Sequence, residues 1–166
     1  GFRAPAQGEW AQDLLQRLAD VAGDATGVRY ADRDQAATAQ AGAIPADLNT
    51  FARRALEKVF SDPLAFERSV GESLTEPKAN VFFTPNAPTL GGGIALDRRT
   101  RMLYDEGHVF INGEAYRAGG KDFALLKDLA NLRNLSERQI KGLSPQARGL
   151  LQEWLEIGWI HAAKIA

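Results

Sequence analysis

The residues best suited to chemistry in this sequence are few. There are two histidines, His108 and His161, and no cysteine. The missing thiol removes disulfides, thiolate zinc sites, iron–sulfur ligation and cysteine nucleophiles together. A hydrolase triad would need one imidazole to meet a serine and an acid, and no serine stands in a nucleophile-elbow context. A non-haem iron site needs two histidines and a carboxylate, commonly as a His-x-Asp/Glu pair on one strand. Position 110 is Phe and position 163 is Ala, so neither histidine heads such a pair. Each histidine reads instead as a surface or half-buried imidazole satisfied by one hydrogen bond. The Gly91-Gly92-Gly93 run lacks the Gly-Lys-Ser/Thr that a phosphate loop requires, and Ile94-Ala95-Leu96-Asp97 follows it. It reads as a loop, and no active site is expected within this chain.

Binding chemistry has more material. The chain of 166 residues carries 20 Lys+Arg against 21 Asp+Glu, so bulk charge does not drive it to nucleic acid. Two local basic runs stand out: Arg98, Arg99 and Arg101, and then Arg133, Arg138 and Lys141. A solvated face with incidental arginines is the first reading of them, and contact with an acidic or RNA-containing partner the second. Sequence-specific DNA reading is disfavoured, because the last helix offers Gln146, Arg148 and Gln152 beside Glu153 and Glu156, whose carboxylates repel phosphate.

The elements that would position these groups divide by period. Apolar content of 45% with 25% charged residues is globular composition, and no stretch is long and apolar enough for a membrane helix. Trp10, Leu14, Leu15, Leu18 and Val21 share one helical face, and Gly23 is a plausible stop. The following residues through Gly42 have no period and read as a long loop. Pro45 opens a second helix with Leu48, Phe51, Ala52, Ala55, Leu56 and Val59 inward. Ser61 or Asp62 caps a third, started by Pro63, striped by Phe66, Val70 and Leu74, and ended at Glu76-Pro77. Three such helices make a thin core. They either fold back on each other or pack against a second subunit.

The second half reads differently. Val81-Phe82-Phe83 is a short strand candidate, and Arg101–Asp105 and His108–Ile111 are strands joined at Glu106-Gly107. Asn112-Gly113 is a hairpin turn leading to a strand over Glu114–Ala118. Helices then span Asp122–Leu132, a short stretch capped by Ser136, and Pro145–Ile157. Trp159–Ala162 closes as a strand. Hairpin strands, three helices and a terminal strand are the layout of a winged helix. The expected fold class is α+β, mostly helical: a helical bundle over 1–78 and a winged-helix-like domain with a small antiparallel sheet over 79–166.

Several segments carry a family resemblance. Gly1-Phe2-Arg3-Ala4-Pro5, which reads like a chain entered in its middle, and Gly71-Glu72-Ser73-Leu74-Thr75-Glu76-Pro77-Lys78 are two of them. Arg98-Arg99-Thr100-Arg101-Met102-Leu103-Tyr104 and Val109-Phe110-Ile111-Asn112-Gly113-Glu114 are two more. Together they resemble the bacterial cupin-type ribosomal oxygenases, a branch of the JmjC-fold proteins. The resemblance implies a parent enzyme whose cupin barrel binds Fe(II) and 2-oxoglutarate and hydroxylates a ribosomal-protein arginine. A helical dimerisation domain and a winged helix follow the barrel in that family. Nearly the whole chain would correspond to those later parts, with residues 1–5 as the barrel's exit. No residue of the iron triad or 2-oxoglutarate pocket has a counterpart, so catalytic, cofactor-binding and metal residues are all expected to be none here. What carries over is a homodimer, with Trp10, Leu14, Leu18, Phe51, Leu56 and Phe66 at its interface; the expected cytoplasmic setting rests on the missing cysteine. The alternative is a free-standing winged-helix protein that binds nucleic acid or regulates, with Arg98, Arg99 and Arg101 as its patch. A third reading is an interaction module docking a protein through its hairpin.

Overall fold

The computed structural model describes residues 6–23, 27, 29–31, 40, 42–85 and 90–163. Residues 1–5 and most of the long loop expected before Gly42 lie outside the described residues. The chain forms two compact units, one up to Val70 and one from Gly71 onward.

The first unit holds α1 (Gln7–Gly23), α2 (Ala46–Phe60) and most of α3 (Pro63–Thr75). Each starts where local chemistry allows. Pro45 supplies an extended residue before α2. The Asp62 carboxylate accepts the Leu64 and Ala65 N–H groups, which the first turn of α3 would otherwise leave unbonded. Within this unit α1 carries the buried Leu18, and the Tyr30 ring meets Phe51 edge-on at 5.6 Å. α2 buries no residue at all.

In α3 the residues that this chain buries are Ala65, Ser69, Gly71 and Thr75; of the apolar stripe, Val70 and Leu74 are half-buried and Phe66 is exposed. Ser69 and Thr75 can be buried because their hydroxyls donate to the carbonyls of Ala65 and Gly71, one turn back. Leu64 and Phe66 are the large apolar side chains of α3 left exposed.

The second unit follows a winged-helix order: β1 (Ile94–Leu96), β2 (Met102–Tyr104), β3 (His108–Ile111), β4 (Glu114–Arg117), α4 (Gly120–Leu132), β5 (Asn134–Leu135), α5 (Glu137–Lys141), α6 (Pro145–Glu156) and β6 (Ile160–Ala162). Two antiparallel sheets result, with strand orders β5-β1-β6 and β2-β3-β4. β1 is central to the first: Ile94 faces both Leu135 and Ala162, and Leu96 faces Ile160. The expected strand over Val81-Phe82-Phe83 does not form. Those residues run without regular structure, with Phe83 packed against the core and Phe82 exposed.

The caps read from the sequence are present. Ser136 and Gln139 form a reciprocal capping box on α5, and Ser144 accepts the Ala147 N–H with Pro145 in the first turn of α6. The Asn112-Gly113 turn has positive φ at both residues, 48° and 89°, which lets two residues reverse the chain between β3 and β4. The core lies beneath these elements. Trp154, Leu151 and Leu155 of α6, Leu126 and Leu129 of α4, and Ile94, Val109 and Ile160 of the strands are all buried.

Candidate interaction surfaces

The six apolar side chains expected at a subunit interface have unequal surroundings. Leu18 is buried within its own chain, whereas Trp10, Leu14 and Phe51 are half-buried. Leu56 is 62% exposed and Phe66 41% exposed. Leu15, Val21, Leu48, Phe60 and Leu64 are likewise large, apolar and exposed. An amphipathic helix earns its place by burying its apolar side. In α2 that side carries Leu48, Phe51, Leu56 and Val59, yet the chain covers none of them fully. This is more apolar surface in one unit than singly scattered side chains provide.

Two of the three arginines of the expected basic patch, Arg99 and Arg101, take part in intrachain bonds. The turn after β1 is organised by Asp97, which is buried and receives three donors on its two oxygens. The Arg99 backbone N–H and Nε reach Oδ1, both at 2.8 Å, and Arg99 Nη2 reaches Oδ2 at 3.0 Å. His161 Nε2 lies 2.7 Å from the same Oδ2. The Arg99 guanidinium holds the Asp97 carboxyl well below the usual carboxylate range; burial opposes it and His161 reinforces it. In return the carboxylate raises the Arg99 value. The remaining Arg99 nitrogen donates to the Phe82 carbonyl at 2.8 Å, and the guanidinium lies over the Phe83 ring. Arg101 donates to the Glu76 carbonyl at 3.1 Å, and Arg98 is exposed.

Arg133, from the second basic run, is also committed. It caps α4 in the left-handed conformation with φ 62°, and its Nη2 donates to the carbonyls of Asp97 and Thr100. In the sequence these arginines are legible only as charges, and Asp97 carries no signal there because its hydrogen-bond partner His161 stands 64 positions away.

Chemically, this cluster fastens the fold. An aspartate beside an imidazole is the orienting half of a triad, but the Thr100 hydroxyl in the same turn is buried and donates to the Trp159 carbonyl at 2.7 Å. A carboxylate held this low does not act as a general acid near neutral pH. His108 sits beside Asp105, with Nδ1 3.4 Å from Oδ1. Among the described residues no group of three or more His, Asp or Glu side chains could hold a metal ion.

The hairpin tip is occupied from within. The Gly113 N–H donates to the buried Thr75 hydroxyl at 3.0 Å, and Arg101 and Asn112 exchange hydrogen bonds beside it. The end of α3 therefore sits against the turn that a winged helix could otherwise extend toward a ligand.

With this geometry in place, residues 58–161 match the family described as ROXA-like winged helix. This chain belongs to that family. No curated protein matches it. Among solved structures, the ROXA-like chain is similar to ycfD from Escherichia coli, known from an X-ray structure, at 18% identity and a TM-score of 0.77. That match covers 96% of this chain and 45% of the other. A second structure, described as YcfD, a ribosomal oxygenase from Escherichia coli in complex with cobalt and 2-oxoglutarate, matches at 19% identity and a TM-score of 0.77. It is covered to 47% of its length by 96% of this chain. The ROXA-like chain thus spans less than half the length of the structures it resembles, and at these identities the likeness is one of fold. No helix among the described residues is long and apolar enough to cross a membrane.

Proposed function

We propose that this chain is the non-catalytic dimerisation and winged-helix region of an Fe(II)/2-oxoglutarate-dependent ribosomal-protein hydroxylase, with an arginine as the parent's target residue. The observation that carries the reading is α2, an amphipathic helix with no buried residue. A second copy of the first unit supplies the cover that the chain does not supply itself. Membership of the ROXA-like family, and likeness in fold to a protein described as a ribosomal oxygenase, support the choice of parent. The described residues offer iron no ligand set, so no step of hydroxylation is assigned to them. A cytoplasmic setting suits a chain without cysteine. Division of the chain near residue 79 into a dimerising and a winged-helix part belongs to the same proposal.

The reading of a free-standing nucleic-acid binder loses support at its own patch, since Arg99 and Arg101 are engaged within the chain. The coding sequence upstream of Gly1 tests the parent. A His-x-Asp pair followed by a distant histidine is expected there; a reading frame that lacks that pattern overturns the proposal.

A further inference from the structure

β4 is an edge strand: its sheet runs β2-β3-β4, and its outer side takes no strand among the described residues. The Ala118 N–H donates to the Gly107 carbonyl at 3.2 Å, and this fixes the phase of the ladder. Bonded and non-bonded pairs alternate in an antiparallel ribbon, so Glu114 and Tyr116 turn their backbone groups toward β3. Ala115 and Arg117 turn theirs outward. An edge presenting such groups is a template for another strand.

Beside that edge, a groove of about 400 Å³ lies between β4, the start of α4 and α6. On α6 it is lined by Gln146, Gly149, Leu150 and Glu153, whose spacing places them on one helical face. Gly149 is the informative residue. Glycine weakens a helix interior relative to alanine, and a Cβ at this position would meet nothing within 4 Å. The chain's own packing therefore does not call for a glycine, and the room it leaves belongs to the groove.

The groove is also polarised. The Tyr116 hydroxyl donates to the Glu114 carboxylate, and the Glu114 and Glu153 charges both act on that phenol. Asp122 accepts the Ser144 N–H at the other end. Arg117 borders the groove too, but alternation along β4 sends successive side chains to opposite faces, and Tyr116 is the one that meets Trp154 of α6.

We propose that β4 and this groove receive an extended, basic segment of another polypeptide. The segment adds as a strand through the outward N–H and C=O groups of Ala115 and Arg117. Its residue opposite Tyr116 shares that face of the sheet, so its side chain points toward α6. A lysine or arginine there lays its aliphatic stem over Gly149 and brings its charge to Glu114 and Glu153.

Fluorescence anisotropy of the 166-residue chain with a labelled peptide of alternating lysine and valine tests this, beside a glutamate–valine peptide. The expected result is saturable binding of the basic peptide alone. Gly149→Leu fills the groove and weakens binding by about tenfold or more, with helical circular dichroism unchanged. Arg117→Pro removes an outward N–H without touching the β3–β4 ladder, and does the same. Absence of binding, equal binding of the two peptides, or variants that bind like the parent chain would overturn the proposal. So would a fall in the chain's sedimenting mass on Arg117→Pro, which would make a second copy the occupant of the edge.

Discussion

The Phe110 ring fills the space in which a side chain at position 71 would stand: a Cβ on Gly71 would come closer to three ring carbons than packed carbon atoms approach. Phe110 is itself buried, between Val109 and Ile111 of β3. The last turn of α3 and the hairpin are thus set at a distance that glycine alone permits. Gly71→Ala should destabilise the second unit by about 1–3 kcal/mol despite the better helix propensity of alanine. Chemical denaturation followed by tryptophan fluorescence checks it; a stabilised variant would mean that the contact gives way freely.

Asp97 should govern the acid limb of stability. Its carboxyl is held low in the folded chain by Arg99, so the unfolded chain takes up the proton first as pH falls. The stabilisation is fully present above the ordinary aspartate value of about 3.9 and is lost progressively below it. Asp97→Asn should lower the melting temperature at neutral pH and flatten its fall between about pH 5 and 2. Equal slopes for the two proteins would remove Asp97 from that role.

Tyr116 supplies an alkaline counterpart. Burial first, then the bond to Glu114, pushes its phenol up to about 12. A folded-state value above the unfolded one gives stability that is complete below about pH 10 and lost as pH rises through the folded value. Spectrophotometric titration should show a late tyrosinate step that Tyr116→Phe abolishes.

What could be read from the sequence was local. The Ser136 cap, Ser144 with Pro145, and Asn112 with Gly113 each bond or turn within four residues, so residue type and spacing determine them; the reciprocal bond between Gln139 and Ser136 was not read. β1 and β5 were not legible because they have three and two residues, too few for a period, and are held by partners far along the chain. The strand expected at Val81–Phe83 failed for a related reason. Of its apolar residues Phe83 packs against the core, with Arg99 over its ring and bonded to the Phe82 carbonyl, and no strand among the described residues pairs with the segment. On α3 hydrophobicity points to Phe66, whereas the residues that this chain itself buries include Gly71 and Thr75, which a hydrophobic pattern does not mark. For the interaction surfaces, the sequence marked the apolar positions of α1 and α2. Which of them the chain already covers, as with Leu18, and which it leaves open, as with Leu56, depends on tertiary contacts.

Sedimentation of the chain beside its Leu56→Asp variant tests the central claim. Leu56 is exposed in the single chain, so a charge there should not unfold it, but a charge buried unpaired at an interface is costly. The unmodified chain is expected to sediment at twice its 18.1 kDa at micromolar concentration, and Leu56→Asp at 18.1 kDa with its helical circular dichroism intact. An unmodified chain that stays at 18.1 kDa with folded helices would contradict it.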